Sequence, residues 1–246
     1  MATNQYRQIA YSRYRDLVAA DYQRFAQVYD RLLTPHIRVE KNWRCLDVAC
    51  GNGNFLAFLR SKGVENYLGV DITASAVARA SQEFGSNRII NQPVDAFLRA
   101  NSVKYHFISA LDFVEHIKKD ELVVFLGIVA DKLDDDGYLL VRTPNASAPF
   151  GMAARYNDVT HEICFTCDSL GEFALRFGFS VVAWWDDVGA PRSLLQACHW
   201  ALWKLVSALY KTLDFIEMGS WSHAPMTRNF WILLQRTSRA PSDKRP

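Results

Sequence analysis

The run LDVACGNG at residues 46–53 restricts the fold more than any other feature of the sequence. The apolar stretch 43–49 predicts a buried strand, which leads directly into a glycine-containing turn and a helical pattern over 54–61. Glycines let the backbone approach a ligand closely, and the first turn of a helix offers free N–H groups. This strand–turn–helix unit therefore predicts an α/β domain with a ligand-binding turn.

The alternation of strand and helix patterns continues along the chain. Further strands are predicted at 67–72, 88–91, 104–110, 138–142, 179–185 and 227–235. Helices are predicted at 75–84, 94–100, 120–133, 168–177 and 192–218, with a solvated turn at 134–137 and a loop at 143–166. Alternation at this spacing predicts a doubly wound, Rossmann-like α/β sheet with helices on both faces.

The sequence pattern divides the chain into four parts. An aromatic and basic helical segment, 1–40, is predicted to form a lid. The core is predicted at 41–186 and 226–236, and the segment between these ranges, 187–225, is predicted as a helical cap insert. The polar residues 237–246 are predicted to be a disordered tail.

Composition and charge exclude several classes of protein. Lys+Arg 28 against Asp+Glu 26 gives a net charge of +2, so the electrostatic signature of a nucleic-acid partner is absent. The five cysteines are an odd number without framework spacing, which favours reduced thiols over a secreted disulfide scaffold. The N-terminal residues carry no apolar run, so we expect no signal peptide and a cytoplasmic location.

Two carboxylates mark the ends of the first two predicted strands. The fingerprint of a nicotinamide dinucleotide site would need a third glycine at the position of Leu56, so the sequence does not favour a dinucleotide as ligand. Asp47, just before the turn, suits a cationic ligand better than a pyrophosphate. Asp71 lies at the end of the second strand, where a carboxylate can accept both hydroxyls of a ribose. Together the two positions predict a nucleoside-type ligand.

These motifs resemble those of the class I S-adenosylmethionine-dependent methyltransferases over about residues 40–185 and the last strand. The resemblance is carried by DVACGNG, GVDI, NQPVDA and LDFVEHI. It implies a seven-stranded sheet whose last strand is antiparallel, and S-adenosyl-L-methionine as cofactor. N-methylation of bases is disfavoured because the Asn/Asp-Pro-Pro-aromatic motif is missing after strand four.

The resemblance also assigns the cofactor-binding residues. They fall into groups for the methionine part, the ribose, the adenine and the surroundings of the sulfonium: Asp47, Ala49, Gly51, Asn52 and Gly53; Asp71 and Ile72; Asp95 and Ala96; Leu111 and Asp112.

Two histidines are candidates for the group that activates an acceptor. A hydroxyl must lose its proton as the methyl arrives, and the commonest general base is histidine. His116 and His161 follow strands four and five, at the sheet edge where sites form. The stretch around His161 resembles methyltransferases of bacterial surface-polysaccharide pathways, which implies O-methylation of a sugar or glycan hydroxyl. We expect His161 to be the base, with His116 as the alternative.

Residues near His161 are expected to bind the substrate. Asp158 and Glu162 are also expected to orient its ring. The predicted substrate-binding residues are Arg155, Tyr156, Asp158 and Glu162.

A metal is not expected. Cys164 and Cys167 form a lone CxxC pair without a second pair or a histidine at zinc spacing. Four other side chains, namely Asp112, Glu115, His116 and Asp158, can gather around a divalent ion but show no required ligand pattern.

Both helical additions admit two interpretations. In the segment 192–218, apolar residues recur at spacings of 3, 4 and 7, which predicts an amphipathic helix. It is expected to pack on the domain or on a second subunit, and the alternative is peripheral contact with the inner face of the membrane. The N-terminal helix either only packs on the domain, with its arginine heads in water, or closes over the cofactor as a lid. In the lid interpretation, Arg13 or Arg15 is a candidate to pair with the methionine carboxylate or an acidic sugar.

Two other functions remain open on the sequence. One is O-methylation of a quinone or other aromatic hydroxyl, whose apolar substrate would use the aromatic cap. The other is an inactive nucleotide-binding relative, which the presence of Asp47, Asp71, Asp95 and His161 disfavours. The acceptor itself depends on the shape of loops and cannot be read from the residues.

Overall fold

A computed structural model describes residues 19–237 of the chain. Its strands are β1 Arg44–Val48, β2 Asn66–Asp71, β3 Ile89–Asn91, β4 Tyr105–Leu111, β5 Leu133–Pro144, β6 Phe179–Asp186 and β7 Asn229–Arg236. Its helices are α1 Ala19–Leu33, α2 Asn54–Ser61, α3 Ala74–Phe84, α4 Val94–Ala100, α5 Lys119–Lys132, α6 Gly151–Tyr156, α7 Cys167–Leu175 and α8 Leu194–Met218. A short 3₁₀ turn, Val114–His116, follows β4.

The seven strands form one sheet in the order β3-β2-β1-β4-β5-β7-β6. The β1, β2, β3, β4 and β5 pairs are parallel, whereas β7 pairs antiparallel with both β5 and β6. The predicted doubly wound sheet with an antiparallel last strand is therefore confirmed. The strand order reverses between β1 and β4, and ligands of such sheets bind outside the carboxyl ends of the strands at this switch point.

Apolar side chains cover both faces of the sheet. One buried cluster includes Leu46 and Ile108, and the other includes Phe55, Phe58 and Trp231. Because central parallel strands are buried on both faces, they read as nearly continuous apolar runs. This rigid centre fixes the positions of the turns that follow β1, β2, β4 and β5.

The start of β5 differs from the prediction of a turn at 134–137. Leu133 already pairs with Tyr105, and the next pair joins Tyr138 to Phe107. The residues between these pairs bulge out of the ladder, and Asp136 has a φ of 63°. The predicted loop 143–166 also contains a helix that the sequence did not reveal, α6.

Helix α8 contacts the domain through its polar face, whereas the apolar face was expected to make this contact. Ser207 is buried, and Lys204 Nζ lies 3.7 Å from a carboxylate oxygen of Asp186. The apolar face points to solvent instead, and Leu205 is 69% exposed. The prediction that this apolar face packs on its own domain is therefore wrong. The residues of this exposed apolar face are Leu194, Leu202, Leu205, Leu209, Leu213 and Ile216.

Within residues 19–237, no helix is long and apolar enough to cross a membrane. The lid is described only from Ala19, and α1 packs on α2. The predictions for Arg13, Arg15 and the residues after 237 fall outside the described residues.

Candidate active site

A large cavity opens at the carboxyl ends of β1, β2 and β4. Its volume is about 1230 Å³. Pockets for one small molecule are typically about 300–1,000 Å³, so this cavity has room for a cofactor and an acceptor. Its wall includes several acidic side chains and two histidines, His116 and His161.

The glycine turn after β1 forms one wall of the cavity. Ala49 and Gly51 both have a φ of 54°, a backbone conformation that favours glycine and is strained for alanine. The hydroxyl of Tyr22 in α1 donates a hydrogen bond to the carbonyl of Asn52 (3.0 Å). The first described helix therefore holds the turn in place from outside. Gly53, with φ 83°, caps the N-terminus of α2.

Asp71 braces this turn from the end of β2. Its Oδ2 accepts a hydrogen bond from the backbone N–H of Gly51 (2.8 Å), and its Oδ1 accepts one from that of Thr73 (2.7 Å). Each carboxylate oxygen has a further lone pair. Asp71 can therefore hold the turn and accept ligand hydroxyls at the same time.

Asp47 is a buried carboxyl group beside this turn. Burial and the nearby charge of Asp71 raise its pKa to about 7, although the hydroxyl of Ser109 donates a hydrogen bond to Oδ1 (2.7 Å) and acts in the opposite direction. A cationic group bound here would offset the cost of ionising Asp47.

Two amide oxygens also lack partners at this end of the cavity. The Oδ1 atoms of Asn52 and Asn54 are buried and accept no hydrogen bond within the described structure. Both residues line the cavity. Buried acceptors without donors are costly, so this end suits a ligand that brings N–H groups and positive charge. The methionine ammonium and sulfonium of S-adenosylmethionine meet that requirement.

Most residues predicted to bind the cofactor lie in the cavity wall. These are Asp47, Ala49, Gly51, Asn52, Asp71, Ile72, Asp95, Leu111 and Asp112. Gly53 and Ala96 are not part of the wall. A Cβ on Gly53 would lie 2.6 Å from the ring of Phe84, so this glycine serves the close packing of α2 and α3.

Backbone hydrogen bonds bring the two histidines together. The carbonyl of Glu115 accepts hydrogen bonds from the N–H groups of Glu162 (2.7 Å) and Ile163 (3.2 Å). The loop after β5 is thereby tied to the turn after β4. As a result the rings of His116 and His161 lie 4.7 Å apart between centroids, and both line the cavity.

The hydrogen bonds of the two rings determine which nitrogen carries a proton. His161 Nδ1 lies 3.1 Å from the carbonyl of Arg155, which can only accept, so Nδ1 is the donor. The hydroxyl of Thr160 donates to Asp158 and must therefore accept from Nδ1 of His116 at 2.9 Å. When either ring is neutral, its lone pair is on Nε2.

The expected partners of His161 are different in the structure. A main-chain carbonyl orients its ring, whereas Asp158 accepts hydrogen bonds from Thr160 and so supports His116. Burial would raise the pKa of Asp158, but these hydrogen bonds lower it below its usual value. The side chain of Glu162 is exposed and contributes only its backbone.

Three of the four predicted substrate residues, Arg155, Tyr156 and Glu162, lie outside the cavity wall. The Arg155 guanidinium donates to the carbonyl of Glu162 (3.1 Å) and lies over the ring of Tyr156. Tyr156 itself is 69% exposed. Arg155 and Tyr156 belong to α6, a helix that the sequence did not reveal, and this helix directs Tyr156 to solvent.

Arg142 and Tyr29 also line the cavity, although neither was predicted as a site residue. Arg142, at the end of β5, forms ion pairs with Asp112 and Asp187, and Asp187 also accepts from the indole N–H of Trp231 (2.7 Å). Tyr29 of α1 packs edge-on against the same indole. A lone arginine inside the apolar strand YLLVR was the available signal for Arg142.

Glu115 was considered in the sequence only as one of four side chains that can gather around a divalent ion, and it was not predicted as a site residue. Its side chain is buried and accepts a hydrogen bond from the hydroxyl of Thr143 (3.0 Å). Burial and the nearby charge of Asp112 raise its pKa to about 8. A buried carboxyl group therefore lies beside the two histidines.

The family described as "Methyltransferase domain" matches residues 11–183, more than half of the chain. No significant match was found among curated proteins.

Solved structures with the same fold include several S-adenosylmethionine-dependent methyltransferases. One from Archaeoglobus fulgidus has a TM-score of 0.63 at 17% identity, covering 87% of this chain and 94% of that one. One from Mesorhizobium loti has a TM-score of 0.57 at 14% identity, covering 85% and 98%. The magnesium protoporphyrin IX methyltransferase of Synechocystis PCC 6803, with bound SAH, has a TM-score of 0.54 at 14% identity, covering 96% and 94%. At these identities the likeness shows the fold.

Proposed function

The chain belongs to the methyltransferase-domain family and is an S-adenosylmethionine-dependent enzyme, and on that premise we propose that it methylates a hydroxyl group of a sugar or glycan. The observation that carries the proposal is the pair of histidines at one end of the cavity, each with its Nδ1 committed to an oxygen atom. Such a pair is suited to activating a hydroxyl.

S-adenosylmethionine supplies a methyl group on a positively charged sulfur. Asp71 is proposed to hold the ribose and Asp47 to lie by the methionine part. The reactive carbon is proposed to face His116 and His161, which line the same cavity.

Activation by His161 is proposed to assist an in-line displacement. In its simplest form the neutral ring accepts the hydroxyl proton while the oxygen attacks the methyl carbon and the carbon–sulfur bond breaks. The bonding pair stays on sulfur, which becomes a neutral thioether. Positioning of the two reactants and general base catalysis, typically about 10²–10⁴-fold, would supply the rate.

Polar residues of the cavity wall favour a polar acceptor. Asn157, Asp158, Arg228 and Asn229 line the same cavity as the histidines and offer several hydrogen-bonding groups. A polyhydroxyl acceptor can form hydrogen bonds with such groups, whereas an apolar substrate cannot. This polarity supports the glycan proposal over the quinone one.

Methyl transfer to a panel of acceptors tests the proposal. The enzyme would be incubated with deuteromethyl-labelled cofactor and either nucleotide sugars, oligosaccharides or hydroquinones, and the products analysed by mass spectrometry. We expect one labelled methyl on a sugar oxygen. Label found only on hydroquinones would show that the acceptor is an aromatic hydroxyl and not a sugar. No transfer to any acceptor would favour the alternative that the chain is an inactive nucleotide-binding relative.

The apolar face of α8 is proposed to contact a second copy of the chain. A helix of 25 residues is about 37 Å long, so the exposed side chains of this face form a continuous apolar stripe, and exposed apolar patches mark interaction sites. The face carries no charged residue, and Lys204 lies on the domain side. A membrane-bound helix usually has a more basic border. Leucines at 3- and 4-residue spacing can instead interdigitate with an identical face.

Light scattering tests this contact. The wild-type chain should be a dimer, and Leu205→Glu with Leu209→Glu should be a folded monomer. The matched control, Glu217→Gln on the same helix, should stay dimeric. A monomeric wild-type chain that floats with anionic vesicles would show that a membrane covers the face instead.

A further inference from the structure

Three potential metal ligands converge at the histidine end of the cavity. One ligand atom each of Glu115, His116 and His161 lies within 4.8 Å of the others. The first two come from the turn after β4 and the third from the loop after β5. Glu115 and His116 are buried, and His161 is half-buried. Residues far apart in the sequence are thus directed to one point that the cavity reaches.

The surroundings hold each ligand as metal sites usually do. Both rings donate Nδ1–H to an oxygen, the arrangement that fixes the tautomer and orientation of metal-binding histidines. Nε2 is then the ligating nitrogen. Glu115 is oriented by the hydroxyl of Thr143. Among the described residues, no lysine or arginine forms an ion pair with Glu115.

We propose that Glu115, His116 and His161 bind one divalent transition-metal cation. Two imidazoles and a carboxylate suit Mn²⁺, Fe²⁺, Co²⁺ or Zn²⁺, whereas Mg²⁺ and Ca²⁺ prefer oxygen ligands alone. The positive charge of the cation would stabilise the ionised form of the buried Glu115 carboxyl group. Three protein ligands leave coordination positions for an acceptor hydroxyl.

This inference rests on the proposed function, because it states how the histidines activate the acceptor. A hydroxyl that coordinates the cation becomes more acidic and loses its proton to water. Its oxygen then attacks the methyl carbon, the carbon–sulfur bond breaks, and the bonding pair stays on sulfur. His161 acts through the cation in this form of the reaction and does not accept the proton itself.

Calorimetric titration of chelator-treated protein with MnCl₂ tests the site. Mn²⁺ is the probe because the chain's five cysteines favour Zn²⁺ at other places. We expect one site per chain in the wild type, and binding at least tenfold weaker in Glu115→Gln and His161→Gln. His161 is half-buried, so its variant should fold even if the buried Glu115 variant does not. His223→Gln, at an exposed position, is the control and should bind like the wild type.

Absence of Mn²⁺ binding to the wild type, or equal binding to all variants, would overturn the site. Activity separates this outcome from failure of the proposed function. Chelator-treated enzyme should lose hydroxyl methylation and regain it with MnCl₂. Full activity without a cation, together with an inactive His161→Gln variant, would show that His161 accepts the proton directly. That result would refute a role of the cation in the reaction. Mn²⁺ bound at these residues without hydroxyl methylation would support the site and refute the proposed function.

Discussion

Replacement of Asp71 is expected to lower both the unfolding free energy of the apoprotein and its affinity for the cofactor. The carboxylate accepts backbone hydrogen bonds from Gly51 and Thr73 at 2.8 and 2.7 Å, and it is 7% exposed. Asp71→Ala removes both acceptors and leaves two N–H groups at the end of the sheet without them. The same change removes the proposed acceptor of the ribose hydroxyls.

The magnitude follows from the number and kind of these bonds. A hydrogen bond to a charged group contributes about 1.5–3 kcal/mol, so loss of two costs roughly 3–6 kcal/mol in the unfolding free energy. Loss of two ribose bonds of the same kind would weaken cofactor affinity by roughly 10²–10⁴-fold. Asp71→Asn keeps one acceptor oxygen and should lose about half as much in each measurement.

Chemical denaturation without ligand measures how much the hydrogen bonds from Gly51 and Thr73 to Asp71 contribute to the unfolding free energy. Calorimetric titration with S-adenosylhomocysteine measures how much the ribose contact contributes to cofactor affinity. Asp131→Ala is the control, since Asp131 is an exposed carboxylate outside the cavity wall. Unchanged affinity in a folded Asp71→Ala variant would show that the ribose lies elsewhere. Unchanged stability would show that the two backbone contacts do not support the turn.

Three further changes test other parts of the site. His161→Gln should reduce turnover about 10²-fold or more at nearly unchanged cofactor affinity, and normal turnover in both it and His116→Gln would contradict hydroxyl activation by either ring. The folded-state pKa of Asp47 is about 7 against about 3.9 in unfolded chains, so the native state binds more protons between these values. The unfolding free energy of the apoprotein should therefore fall as pH rises through this window, by up to roughly 4 kcal/mol. Denaturation of Asp47→Asn should show a flatter profile, and an unchanged slope would assign the effect to other groups. Gly53→Ala should destabilise by about 1–3 kcal/mol because of its positive φ and the contact with Phe84, and urea denaturation equal to wild type would show that the turn relaxes.

Local patterns were sufficient to predict most of the core. Helices 54–61 and 94–100 have the predicted bounds because a glycine turn or a proline precedes each and the apolar spacing is regular. The bulge at the start of β5 was not predictable, because it depends on pairing with Tyr105 on another strand. Short helix α6 was missed because six residues carry too few periodic positions.

Side-chain partners were harder to predict than positions in the fold. The sequence placed His116 and His161 at the same sheet edge, since both follow parallel strands. It could not show that the carbonyl of Arg155 orients His161, because any residue type supplies a carbonyl. The outward face of α8 was likewise unpredictable, because periodicity shows that an apolar face exists but not which surface covers it.

Whether the reactive end of the cofactor faces the two histidines is tested most directly by a crystal structure of the S-adenosylhomocysteine complex. We predict ribose hydroxyls on Asp71, the amino group near Asp47 and Asn52, and the sulfur directed toward His116 and His161 across open space for an acceptor. A sulfur directed away from both histidines, or a nucleoside bound elsewhere, would contradict the proposed activation of the acceptor.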